Sequence, residues 1–378
     1  MADLDTLLSV PYLAELVKQR TPMSSPGPFT QLFRMGGVDE VDGDRVLYEK
    51  RRYDRKLAAV RAVDGESFTK KMPDRKVVEQ GLIHMTSKRI LTPKELYLTA
   101  GVGTFLRSNV SSLVVDAVEQ IKGEIFRGVE YVCGDLIQNP AGVNLSGTNT
   151  AFPAGANTLS DTLTIEGNLQ EFTVGAGWDV SSTEILSGTS QLTDAIRKME
   201  ENGHEAFHAI HQRSVAKAIV RNIETKEWLT ANGGITVEYF KQAVNAAARR
   251  QGDNADAFSP SVWSGIAGIP SWLDWDHGYE NSAGAFTRHM ASDKLILLPR
   301  ELRRVLGLAE GFSFIPNNVQ VFGDAEQAAD LFRAARGLQV FAYRSIDDTG
   351  NIHIVGRYTF APMVRDELGV LTLKDLGT

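Results

Sequence analysis

Between Asn109 and Asn139 the chain carries its longest uninterrupted helical pattern, and this stretch limits what the rest can build. Apolar residues recur at spacings of three and four: Val110, Leu113, Val114, Ala117, Val118, Ile121, Ile125, Val129, Val132, Cys133, Leu136 and Ile137. Asp116, Glu119, Gln120, Lys122, Glu124, Arg127, Glu130 and Asp135 read as the opposite, polar side. A half-buried helix is therefore expected. Asn139-Pro140 ends it, because the proline ring disfavours helical geometry in the residue before it and offers no amide proton. At 1.5 Å per residue such a helix is about 45 Å long, well beyond the usual globular helix, so something extended must lie along it.

Length and composition leave room for a real core. A chain of 378 residues with 43% apolar and 23% charged residues is ordinary soluble composition, with two or three domains expected from length. The net charge of -7 argues against a protein that coats nucleic acid with its whole surface. Cys133 is the one cysteine, which excludes an intramolecular disulfide framework or a thiolate metal cluster and fits a reducing site of synthesis. The opening MADLDTLLSVPYLAELVKQR starts with acids and does not read as a secretory signal. No run approaches the ~20 apolar residues of a membrane span, so a soluble chain without membrane contact is expected.

Taken in order, Leu4, Leu7, Leu8, Leu13, Leu16 and Val17 predict a short amphipathic helix bent near Pro11, and Thr21 to Pro28 an extended linker. An arm of this kind is expected to gain little on its own domain. A flexible terminus and a segment docking on another subunit both remain open. From Asp44 to Lys94 strand-like runs punctuated by Gly43, Gly65, Pro73 and Gly81 predict a long β-ribbon. It holds fourteen Lys and Arg against seven acids, a local +7, which leaves 26 bases against 40 acids, -14, elsewhere. A ribbon this polar is marginal alone. It is either a solvated surface hairpin or a strap over an acidic surface of a neighbouring copy, steered by opposite charge.

Beyond the long helix, Ala141 to Asn157 reads as a loop, and Thr162 to Val180 as a hairpin around Glu166-Gly167-Asn168. Helical patterns cover Leu192 to Asn222 and Val237 to Arg250. Ser261 to Ala285 has no clear period, and its Trp263, Trp272 and Trp275 are expected in the core. Strands are expected at Leu295 to Leu298, Gln339 to Tyr343, Asn351 to Phe360 and Gly369 to Leu373. The class is α+β, with strands from both chain halves available to one sheet.

One motif points to an enzyme. His204, Glu205 and His208 match H-E-x-x-H, in which two histidines one helical turn apart hold zinc and the glutamate is a general base. Glu224 or Glu227 could serve as third ligand, but the longer pattern with Gly and a third His fails at His211 and Ser214. A solvent-facing polar stripe is the alternative. There is no dinucleotide-binding glycine motif, phosphate loop or nucleophile elbow. Asp253, Asn254, Asp256 and Asp347, Asp348, Gly350 lack calcium-loop spacing and read as turns. A third reading, a nucleic-acid binder, would use the basic ribbon with Tyr48, Tyr53 and Phe68 for stacking.

The order of elements resembles a family: an arm with a small helix, PFTQLF, a long basic ribbon, SKRILTPKEL, a very long helix, and GRYTFAPMVRDELGVLTLKDL near the C-terminus. This layout resembles the lambda-like major capsid proteins of tailed phages, the major capsid protein E family. There PFTQLF looks like the approach to the first strand, and SKRILTPKEL like the return from the ribbon. The resemblance implies the α+β capsid fold of the Hong Kong 97 type. Residues 1–36 would be an N-arm, 37–92 an extended loop, and 93–190 a peripheral domain with spine helix 109–139. Residues 191–345 would form an axial domain, and 346–378 would return to the peripheral domain. It further implies a shell of hexamers and pentamers around double-stranded DNA, without catalysis, metal or cofactor. Arg51, Arg52, Arg55, Lys56, Lys70, Lys71, Arg75 and Lys76 would then contact neighbouring subunits. A lysine–asparagine crosslink through Lys70 or Lys71 is not expected. A scaffold protein, a portal and a decoration protein are the implied partners, and the virion, assembled in the host cytoplasm, the implied location.

Overall fold

A computed structural model describes residues 7–18, 26–51, 75–95, 107–140, 142–145, 151–152, 162–163, 169–233, 266–312, 320–321, 337–344 and 351–377. Its helices are α1 (Val10–Lys18), α2 (Pro28–Met35), α3 (Arg107–Gln138), α4 (Leu192–Glu201), α5 (Arg213–Arg221), α6 (Ile223–Gly233) and α7 (Leu302–Val305). The first strands are β1 (Val38–Val41), β2 (Arg45–Arg51), β3 (Arg75–Gly81), β4 (Ile83–Leu91), β5 (Val143–Asn144), β6 (Thr162–Leu163), β7 (Gln170–Thr173) and β8 (Ala206–His211). They are followed by β9 (Ser271–Asp274), β10 (Gly278–Glu280), β11 (Phe286–Arg288), β12 (Leu295–Pro299) and β13 (Leu306–Gly311). The last are β14 (Gln320–Val321), β15 (Gln339–Arg344), β16 (Ile352–Val364) and β17 (Leu371–Lys374).

Two main sheets enclose the long helix. The first runs β1-β13-β16-β15-β14 with β4 also paired to β16, so strands from both halves of the chain share it. The second runs β7-β17-β12-β8-β9, in which β7 on β17 and β8 on β9 are parallel and the other pairs antiparallel. The run LILLP of β12 is buried throughout because both faces of this sheet are covered. Leu295 and Leu297 pack with Trp178, Trp272, Leu371 and Leu373 under α4 and α5. The alternate residues Ile296 and Leu298 join Ile210, Leu273 and the apolar side of α3.

The spine helix α3 is buried on more than half its girth. Ile121, Ile125, Val129, Val132, Leu136 and Ile137 share a core with Ile352, Ile354, Tyr358 and Phe360 of β16. A glycine makes this close approach possible, since a Cβ at Gly356 would stand 2.2 Å from Ile121 Cγ2. Helix α3 stops at Gln138, one residue before Asn139-Pro140, as its sequence requires.

Several expectations are corrected. PFTQLF does approach the first strand, β1 beginning at Val38, but it does so as the helix α2, with Pro28 in the first turn, where its missing N–H costs nothing. The arm does not lack contacts on its own chain: Leu8, Leu13, Leu32 and Phe33 are fully buried against α3 and the first sheet, each worth about 2 kcal/mol by area. The single helical pattern over Leu192 to Asn222 is broken after Glu201. Gly203 takes φ 80°, the amide of His204 donates to Met199 O and that of Gly203 to Glu200 O. This is the glycine stop that ends helices, and Asn202-Gly203 announced it. Ala206–His211 then has partner strands on both sides and extends instead. Among the described residues the strands of the hairpin expected over Thr162 to Val180 pair elsewhere: β6 with β5, and β7 with β17 from the far end of the chain; the expected turn Glu166-Gly167-Asn168 lies outside the described residues. Trp272 is core as expected. Trp263, the pattern at Val237 to Arg250 and the two aspartate turns lie outside the described residues.

Candidate interaction site

The basic ribbon is a twisted pair of strands whose root is anchored. Strands β2 and β3 are antiparallel in the register Arg45↔Gly81 through Arg51↔Arg75. Alternation sends Val46, Tyr48 and Val78 inward onto Ala309, Ala361 and Met363. Lys50 makes an ion pair with Glu367, both largely out of water, and Gln80 Nε2 donates to Pro362 O at 3.0 Å. The root therefore finds its missing core on the first sheet of its own chain. Tyr48, a stacking candidate from sequence, is 7% exposed and unavailable to a base.

The outer face carries what charge counting missed. Leu47 is 68% and Val77 65% exposed, flanked by an exposed ion pair between Arg45 Nη1 and Glu79 Oε1 at 3.0 Å. The signal was in the sequence: Val46-Leu47-Tyr48 is apolar at consecutive positions, so a strand must show apolar atoms on both faces. Of the basic residues singled out, Arg51 stands opposite Arg75 and the exposed Lys76 opposite Lys50, and like charges directly opposite disfavour an isolated ribbon. Arg52, Arg55, Lys56, Lys70, Lys71, Tyr53 and Phe68 lie outside the described residues.

Two charges assigned by periodicity to the polar side of α3 are instead buried under the arm. Glu130 accepts from the Phe29 amide at 2.9 Å, the Thr30 amide at 2.9 Å and the Thr30 hydroxyl at 2.8 Å. It serves as the N-terminal cap of α2, whose own cap residue is Gly27. Burial pushes its pKa up to about 7, while those three hydrogen bonds pull the other way. Two turns earlier Lys122 donates to Leu16 O at 3.4 Å in the last turn of α1, and burial lowers its pKa against the pull of Glu119. An acid thus faces the positive pole of one helix and a base the negative pole of the other. Below them Arg34 Nη2 and the Tyr358 hydroxyl both donate to Glu310 Oε1, at 2.7 Å and 2.6 Å, tying α2 to the first sheet.

The structure does not place the HEAFH residues on one face of a helix, as a zinc-binding H-E-x-x-H motif needs. They sit on a loop and strand instead: His204 and Glu205 precede β8, and His208 lies within it. Extended chain rises about 3.3 Å per residue, which sets residues four apart roughly 13 Å from each other, too far for one ion. His204 Nε2 donates to Asp366 Oδ2 at 3.0 Å, Glu205 is exposed, and Glu224 accepts from the amides of Leu186 and Ser187. Burial depresses His208 and His211 to about 4. Among the described residues no group of three His, Cys, Asp or Glu could hold a metal ion.

The sequence model of the phage major capsid protein E family matches residues 13–308. No protein with a curated description matches the chain. Among solved structures, one described as the capsid protein of a prophage of E. coli CFT073 superposes with a TM-score of 0.55 at 12% identity, over 97% of this chain and 99% of that one. It shares the fold. A phage-related protein of Bordetella bronchiseptica RB50 gives 0.47 at 11% identity, over 98% of both chains. A virus-like particle from Pyrococcus furiosus gives 0.44 at 10%, over 96% of both.

Proposed function

From the premise that the chain belongs to the phage major capsid protein E family, we propose that it builds the head of a tailed phage as hexamers and pentamers of one icosahedral shell around double-stranded DNA. It is a major capsid protein of the Hong Kong 97-type fold, and its place is the virion capsid. The observation that carries this is the span of the family match, which takes in arm, ribbon and spine helix together. In this proposal the role is structural, without catalysis, and assembly takes place in the host cytoplasm with a scaffold protein, a portal and a decoration protein. The limits 1–36, 37–92, 93–190, 191–345 and 346–378 stand as its arm, extended loop, peripheral, axial and returning segments.

The ribbon is the segment proposed to lie across a neighbouring copy. Its basic residues Arg51, Arg52, Arg55, Lys56, Lys70, Lys71, Arg75 and Lys76 would steer the approach, and this effect weakens with salt. Leu47 and Val77, held outward in a charged frame, would supply net affinity, because apolar area rather than exposed ion pairs contributes most of it. Permanent interfaces of this kind bury roughly 2,000 to 5,000 Å², so no single contact need be strong.

Electron microscopy of the chain co-expressed with its scaffold tests the reading. Reversing Arg51, Arg52, Arg55 and Lys56 together should abolish or misdirect shells while circular dichroism reports a folded subunit, and Leu47→Asp with Val77→Asp should do the same. Normal shells from both variants would refute ribbon docking. A monomer under every condition would refute the shell itself.

A further inference from the structure

Three consecutive charged residues at the turn between β16 and β17 each hold a different part of the molecule. Strand β16 belongs to the first sheet and β17 to the second, so at this turn the chain passes from one sheet to the other, as it also does between β12 and β13. Arg365 Nη2 pairs with Asp39 Oδ2 of β1 at 2.5 Å, and its Nη1 donates to Gly36 O and Arg303 O, both at 3.2 Å. Asp366, 4% exposed at its side chain, accepts from His204 on the loop leading into β8 at 3.0 Å. Glu367 accepts from Lys50 of the ribbon.

The turn is stiff. The Arg365 amide donates to Val305 O at 2.7 Å, Asp366 Oδ1 accepts from the Leu368 amide at 3.0 Å, and Glu367–Gly369 closes as a single 3-10 turn. A Cβ at Gly369 would stand 2.4 Å from Val305 Cγ2, so the turn lies hard against α7. Asp39, His204 and Lys50 stand on three separate elements, and this turn holds all three. We propose that Arg365-Asp366-Glu367 is a coupling node, through which a displacement of the ribbon root is transmitted to the second sheet and to β1. Contiguous hydrogen-bond and salt-bridge networks of this kind can carry coupling between distant elements. In a shell the node would let the ribbon's seating on a neighbour bias the angle between the two sheets. That use rests on the docking proposed above, whereas the node itself can be read on the isolated chain.

Hydrogen exchange followed by mass spectrometry on the purified 378-residue chain tests it. Lys50→Met removes the ribbon's hold on Glu367, and Arg45→Met removes the exposed ribbon pair with Glu79, which does not touch the turn. With Lys50→Met, amides of residues 204–211 and 36–41 should exchange about threefold faster or more, those of α3 should be unchanged, and Glu367→Gln should give the same map. Arg45→Met should alter the ribbon alone. The node is overturned if the Lys50→Met change stops at the ribbon and residues 366–368, if α3 accelerates by the same factor, or if Arg45→Met spreads as far.

Discussion

A buried acid under the arm and two buried histidines of the second sheet respond to protons in opposite directions. Under the arm, Glu130 is an acid whose pKa burial raises from an ordinary 4.5 to about 7. The folded state then holds a proton that the unfolded state has lost, so its stability contribution falls as pH rises from 4.5 to 7. In the second sheet, burial depresses His208 and His211 from 6.5 to about 4. There the unfolded state binds the proton first, so their contribution is present above pH 6.5 and is lost as pH falls toward 4. Each effect is on the order of 3 kcal/mol for a fully buried group, and over one pH window they oppose each other. Burial has one effect on charge; the kind of residue sets its sign.

The largest disturbance of this balance is expected at Glu130. Glu130→Leu leaves the Phe29 and Thr30 amides buried without an acceptor and should cost about 4 kcal/mol, read from the denaturant midpoint. A loss under 1 kcal/mol would mean that the arm is not held there.

A milder substitution separates the acid from the histidines. Glu130→Gln removes the titrating carboxyl, so between pH 4.5 and 7 stability should rise by about 3 kcal/mol more than in the parent chain, where one acid offsets only part of the contribution of the histidines. Parallel profiles for the two proteins would show that Glu130 does not titrate in that window.

Lys122 tests whether the two buried charges under the arm are equivalent. Its contact to α1 is long, 3.4 Å, and Lys122→Met keeps the volume, so the change should stay within about 1 kcal/mol. A loss as large as that of Glu130→Leu would make the base as important as the acid. The smallest effect belongs to the ribbon surface: Arg45→Met, which breaks an exposed pair, should leave the thermal midpoint unchanged.

Much of the architecture is legible in the residues because it rests on local rules. The spine helix, its stop before Pro140 and the four C-terminal strands follow from periodicity and from proline. The misplaced elements share a different cause. Glu130 is spaced three residues before Cys133 and seven before Ile137, so it flanks the apolar stripe; only the placing of α2 over that flank turned it from solvent-facing to buried. PFTQLF forms a helix because a carboxylate a hundred residues away caps it. HEAFH satisfies a helical motif, but Gly203 ends the helix, and strands on either side claim Ala206–His211 for a sheet.

The α+β class, the spine and the charge imbalance between ribbon and remainder could all be had from residue order, since each depends on neighbours along the chain. Which face of the spine is covered, where the ribbon's root rests and which charges are buried had to await the packed molecule. Those outcomes come from contacts between segments hundreds of residues apart, and burial, not residue type alone, fixes what a polar group must find to be stable.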